Sequence, residues 1–137
     1  MPEDLLNPYQ RNSVAITLRM VETALREALA ELGRKDEGIL YRRSGTLSEE
    51  QTQQIQRVVE AALQEIESLA QSLDLPVEVH DNRAALLGKL SVLWIDLHEI
   101  RAQSLKGYGE VAPGLKAVLD PPVSRLIELV AALSSLL

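Results

Sequence analysis

The sequence has 137 residues and a net charge of −6, with 46% apolar and 25% charged residues. This composition is typical of folded soluble proteins and argues against a disordered chain. The negative charge argues against nonspecific binding to nucleic acid, whose phosphates would be repelled. Aromatic residues are only 3% and phenylalanine is absent, so the core must consist of Leu, Val, Ile and Ala, which suits closely packed helices better than a β-sandwich.

The ends of the sequence bear on its location. Residues 1–4 are acidic and lack the features of a signal peptide. The longest apolar stretch, residues 126–137, contains Glu128 and is far shorter than the roughly 20 residues that a membrane span needs. Cysteine is absent, which is compatible with a reducing compartment. We therefore expect a cytoplasmic protein without a membrane contact.

The first predicted helix covers residues 8–32. Asn7 can cap its free N–H groups, and Pro8 suits the first helical position. Apolar residues then alternate in steps of four and three, which is the period of a helix packed against other helices. Gly33 is the expected left-handed stop.

A long connection, residues 33–47, precedes the second helix. Its apolar middle, Ile39-Leu40-Tyr41, predicts that the loop folds back and packs. Ser48 and Gln51 form a capping-box pattern, and the same apolar spacing continues to Leu73, so we predict a helix over residues 49–73.

The third predicted helix, residues 82–106, has the most regular spacing and contains the single tryptophan, Trp94. We interpret it as the central helix of the fold. Its predicted inward positions are Leu86, Leu90, Leu93, Leu97, Ile100 and Ser104. After the second long connection, Asp120-Pro121-Pro122 resembles a capped restart and predicts a fourth helix over residues 121–137.

Together these elements predict one all-α domain over residues 1–137, an up-down-up-down four-helix bundle with both long loops at one end. The loop segments 33–47 and 106–120 contain six basic and four acidic residues, so this end is expected to be basic.

Metal and acid–base chemistry find little support in the sequence. No Glu-x-x-His pair occurs, and the two histidines, His80 and His98, are expected in a loop and on an outer helix face. Asp96, His98 and Glu99 are too close in sequence to face one another on a helix. There is no cysteine nucleophile and no nucleophile-elbow serine. We predict no catalytic residue, no metal and no cofactor.

The segment Arg-Ala-Gln-Ser-Leu-Lys-Gly at residues 101–107 resembles the signature of histidine-phosphotransfer domains, which are also four-helix bundles. In that family a histidine stands two residues before Leu-Lys-Gly. Gln103 occupies this position here, and a glutamine cannot accept the phosphoryl group, so the resemblance does not imply phosphotransfer.

The loop end is the predicted ligand site. Tyr41, Arg42 and Arg43 in one loop, with Lys106 and Tyr108 in the other, can form a small anion-binding surface. The alternative is that these basic residues only stabilise the C-terminal ends of helices.

The fourth helix is apolar around most of its circumference, which is typical of a helix covered by another chain. We predict self-association through Ile127, Leu129 and Leu136, with covering by the long loops as the alternative. The leading hypothesis is a non-enzymatic homodimeric interaction module with an unidentified protein partner. A regulatory domain that binds a small ligand or anion is the alternative, and an enzyme with a site shared between subunits is a weaker third.

Overall fold

The structure, a computed structural model, describes residues 5–137, so the acidic segment 1–4 and the expectation that it is no signal peptide lie outside the described residues. The described chain is all-α, as predicted, with four α-helices and no strand. These are α1 (Pro8–Leu32), α2 (Glu49–Ser72), α3 (Asn82–Glu99) and α4 (Leu115–Ser135), with a 3₁₀ helix at Ser104–Tyr108. The chain forms two compact units, of which the first ends at Glu78 and the second is Val79–Leu137. Each unit holds one pair of packed helices, α1 with α2 and α3 with α4, as in a helical bundle.

Both helices of the first unit begin at capping boxes. The Gln10 N–H donates to Asn7 Oδ1 over 2.8 Å, and the Asn7 N–H donates to Gln10 Oε1 over 3.0 Å. Ser48 and Gln51 make the same reciprocal pair at the start of α2. Each box satisfies two N–H groups that the helix leaves without partners, which explains why both predicted starts are confirmed.

The end of α1 differs from the prediction in conformation. Gly33 caps the helix with φ of −95°, which is right-handed, so the expected left-handed stop is wrong. The left-handed residue instead follows α2: Asp74 has φ of +49°, and the Leu75 N–H reaches back to the Ala70 carbonyl over 3.0 Å. A helix can end in either way, because the last carbonyls need only some donor.

Arginine side chains tie the segment after α2 to α1. Arg11 donates to the carbonyls of Leu73 and Asp74, the two residues that directly follow α2. Arg19 forms an ion pair with Glu78 at 2.9 Å. Ala15 and Val59 are the buried residues of this helix pair.

In the second unit, α3 ends seven residues before the predicted residue 106. A continuing helix would need the Ala102 N–H to donate to the His98 carbonyl. That N–H donates instead to Asp120 Oδ1 over 2.9 Å, and the His98 carbonyl accepts from the Ser104 hydroxyl over 3.1 Å. These two bonds keep the residues after α3 out of the α-helical pattern, which already ends at the C-cap residue Ile100, and the chain continues as the 3₁₀ helix.

The start of α4 also differs from the prediction. We predicted Asp120 as its N-cap, but the helix begins at Leu115 after Gly114, which has φ of +92°. Pro121 and Pro122 lie inside the helix and leave the carbonyls of Ala117 and Val118 without their usual donors. Because Ala117 and Val118 are exposed, water can solvate these carbonyls.

The prediction that α3 is a central, buried helix is wrong. None of its residues is buried, and Trp94 is 46% exposed. The buried residues of the second unit are Ala102 and Val123. The regular spacing on α3 marks a face that is apolar but open.

Candidate functional site

The predicted loop site contains an ion-pair network that involves the last turn of α1. Tyr41 Oη donates to Asp36 Oδ2 over 2.8 Å, and Arg43 Nε donates to Asp36 Oδ1 over 3.0 Å. Arg43 Nη1 also donates to Glu31 Oε1 over 2.6 Å. Arg42 donates to the Gly38 carbonyl over 3.0 Å. Tyr41, Arg42 and Arg43 therefore do come together, but around carboxylates of their own unit. We call Glu31, Asp36, Tyr41 and Arg43 the loop clamp.

The loop clamp changes the acidity of its members. The hydrogen bonds from Tyr41 and then Arg43 hold the pKa of Asp36 below its ordinary value of 3.8. The same bond to Asp36 raises the pKa of Arg43. Both groups stay charged at neutral pH, so the loop clamp persists and Arg43 already has two anionic partners.

The tip of this loop points outward. Ile39 and Leu40 are each 96% exposed, so the prediction that they fold back and pack is wrong. The Gly38 N–H donates to the Tyr41 carbonyl over 3.2 Å, and the Tyr41 ring lies where a Cβ on residue 38 would stand. This tight turn turns the two aliphatic residues away from the helices.

Lys106 and Tyr108, the other predicted members of the site, belong to the second unit. Both lie in the 3₁₀ helix and are exposed, Tyr108 at 91%.

Asp96, His98 and Glu99, the residues considered for acid–base chemistry, have different surroundings. Asp96 and Glu99 are exposed. The prediction that His98 lies on the outer face is wrong, because its side chain is half-buried. Its ring centroid lies 4.1 Å from that of Trp94. The buried atoms His98 Nε2 and Arg101 Nε have no hydrogen-bond partner. The imidazole of His98 is thus packed against an aromatic ring.

Beside these residues, a shallow open depression lies along the first half of α4. Its lining residues are Gly114, Lys116, Ala117, Asp120, Pro121 and Ser124. The Arg101 guanidinium donates to the Ser124 hydroxyl over 3.4 Å, and Asp120 is engaged with Ala102. The polar groups here join α3 to α4 within the second unit.

One exposed apolar feature of the second unit runs along α4. We call it the α4 stripe; it consists of Leu126, Leu129, Leu133 and Leu136, which are 46%, 49%, 50% and 81% exposed. The apolar spacing along this helix, Val123, Leu126, Val130, Leu133 and Leu137, predicts that Leu126 and Leu133 face inward, whereas the structure exposes them. Of the predicted self-association residues, Leu129 and Leu136 belong to this stripe, and Ile127 is half-buried beside it. The sequence period therefore identified an apolar helix and two residues of its open side, Leu129 and Leu136, but not Leu126 and Leu133.

A second stripe runs along α3. We call Leu86, Leu93 and Ile100 the α3 stripe; they are 47%, 48% and 43% exposed and are spaced seven residues apart. In the described residues, no group of three or more His, Asp or Glu side chains is arranged to hold a metal ion. No helix among them is long and apolar enough to cross a membrane.

Comparison with known proteins gives no relative: no family model matches the chain, and no curated protein or solved structure is significantly similar.

Proposed function

We propose that this protein is a non-enzymatic interaction module that self-associates as a homodimer. One observation carries the proposal, namely the amount of surface that the chain exposes. The accessible surface is 11,377 Å² for a mass of 15.1 kDa. Two separate compact units of half this mass would together expose only about 8,500 Å² by the usual scaling with mass.

The excess is too large to come from the undescribed residues. Residues 1–4 can add at most roughly 700 Å², which is the surface of a fully extended chain of their mass. About 2,000 Å² of additional surface remains, and the exposed residues of the chain include many large apolar side chains, among them those of the two stripes. Apolar side chains that are grouped on one exposed face mark interaction sites, whereas singly scattered ones are normal in soluble proteins.

The test is sedimentation equilibrium between 1 and 100 micromolar. We expect twice the mass of the 15.1 kDa chain over most of this range. A monomer at tens of micromolar would contradict the proposal. Native mass spectrometry of the purified protein adds a check for a retained small molecule, which would favour a ligand-binding domain instead.

The anion-binding alternative has weaker support, because the Arg43 guanidinium is already paired with Glu31 and Asp36. An incoming anion would have to replace two carboxylates. The cytoplasmic location expected from the sequence stays part of the proposal, as does an unidentified protein partner.

A further inference from the structure

We infer that the dimer forms through the second unit alone: the α3 and α4 stripes of one copy pack against the same stripes of a second copy, so that four helices meet across a two-fold axis. This inference rests on the proposed self-association and adds where it occurs. Three observations support it, namely the geometry of the stripes, the distribution of charge and the area.

The geometry places both stripes on one side of the helix pair. The bonds from Ala102 to Asp120 and from Arg101 to Ser124 join the end of α3 to the first half of α4, so the helices run antiparallel. Successive residues turn by about 100° around a right-handed helix. Leu90 and Leu97 on α3 and Val123 on α4 mark the faces by which the two helices contact each other. Each stripe is rotated in the same sense away from its contact face, and in an antiparallel pair this places both stripes on one side of the pair.

The spacing of the stripes suits another pair of helices. Members of the α3 stripe are seven residues apart, and those of the α4 stripe alternate in steps of three and four. These are the periods with which side chains of one helix fit between those of a neighbour in a left-handed bundle. An isologous contact of two such faces is self-complementary and closes at two copies.

Charge separates the two units. The second unit, Val79–Leu137, holds six basic and six acidic residues and is neutral. The sequence up to Glu78 holds eight basic and fourteen acidic residues and carries the whole net charge of −6. Two copies can join through their second units without repulsion, whereas contact between two first units would bring like charges together.

The area fits a second copy. A standard interface buries about 800 Å² on each partner, and obligate homodimers bury more. The excess surface belongs to the whole chain, about 2,000 Å² over both units, and less than half of it would supply a contact of standard size through the second unit.

The deciding experiment compares two matched charge insertions by sedimentation equilibrium of the full chain, with helix content checked by circular dichroism. Leu133→Glu lies in the α4 stripe, where residue 133 is 50% exposed, and we expect the dimer dissociation constant to rise at least 100-fold. Val58→Glu adds the same charge at a residue of α2 that is 70% exposed, and we expect less than a threefold change. If Leu133→Glu does not fold, the neutral variant Leu133→Gln replaces it, with an expected rise of at least tenfold.

The outcomes separate the inference from the proposed function. A dimer that survives the folded Leu133 variant, or that only Val58→Glu dissociates, overturns the location and leaves self-association standing. A monomeric wild-type protein overturns both. Loss of the dimer in the Leu133 variant alone is the result that supports the inference.

Discussion

At the scale of single residues, carboxylates decide the local structure more than the apolar pattern does. Asp36 accepts hydrogen bonds from Tyr41 and Arg43 in the loop clamp. Asp120 accepts from the Ala102 N–H, which would donate to the His98 carbonyl if α3 continued. Neither role is visible in the sequence, because each depends on a partner brought near by the fold. Charge-assisted hydrogen bonds of this kind are about twice as strong as neutral ones.

The loop clamp predicts a pH dependence. The pKa of Asp36 is lower in the folded protein than its ordinary value of 3.8. The stabilisation that the Asp36 carboxylate gives to the folded loop is therefore fully present above pH 3.8 and is lost as the pH falls below that value. We expect the Tyr41 ring and Gly38 amide signals in NMR spectra to shift together with a midpoint below 3.8. In Asp36→Asn the neutral pH spectrum should already show this change.

Glu37→Gln is the matched control, since that carboxylate approaches Arg42 only at 3.7 Å and lies outside the loop clamp. Equal shifts of the Tyr41 signals in both variants would show that loop charge alone, and not the bond to Asp36, controls the tip.

At the scale of elements, the sequence predicts what has local causes. Capping boxes and the spacing of apolar residues place α1 and α2 within one residue of their predicted ends, because each signal acts within a few positions along the chain. The continuation of α3 to residue 106 was mispredicted because the Ala102 N–H finds its acceptor in Asp120, eighteen positions away, and no local pattern predicts that contact. The exposed Ile39 and Leu40 were mispredicted because apolar character alone does not say what covers a residue.

That contact can be tested by Asp120→Ala. The substitution leaves the part-buried Ala102 N–H without its acceptor, and we expect the free energy of unfolding in urea to fall by about 1–2 kcal/mol at fixed protein concentration. Glu128→Ala removes the same charge from an exposed position of α4, and a change within about 0.5 kcal/mol is expected there. Equal losses in the two variants would mean that Asp120 acts only through charge.

At the scale of the whole molecule, the candidate interaction site consists of the α3 and α4 stripes, whose apolar spacing is typical of buried helix faces although their side chains are exposed. The period identified α4 as a helix needing cover, and residues 129 and 136 were placed on its open side. The apolar period could not predict that the α3 stripe is exposed, because a helix buried within its own chain and a helix covered by a second chain have the same apolar spacing. Covering a half-exposed leucine is worth about 1 kcal/mol, so the stripes together can drive association.

The distribution of charge leads to a last prediction, on salt. An interface confined to the neutral second unit leaves the acidic first units apart, so the dissociation constant should change less than threefold between 0.05 and 0.5 M sodium chloride. An interface that included the first units would tighten strongly with salt, because screening would remove the repulsion between two copies that each carry −6. Sedimentation at the two salt concentrations distinguishes these cases without any substitution. A steep tightening would move the contact to the acidic unit, whereas a flat response together with loss of the dimer in Leu133→Glu fits only the neutral face.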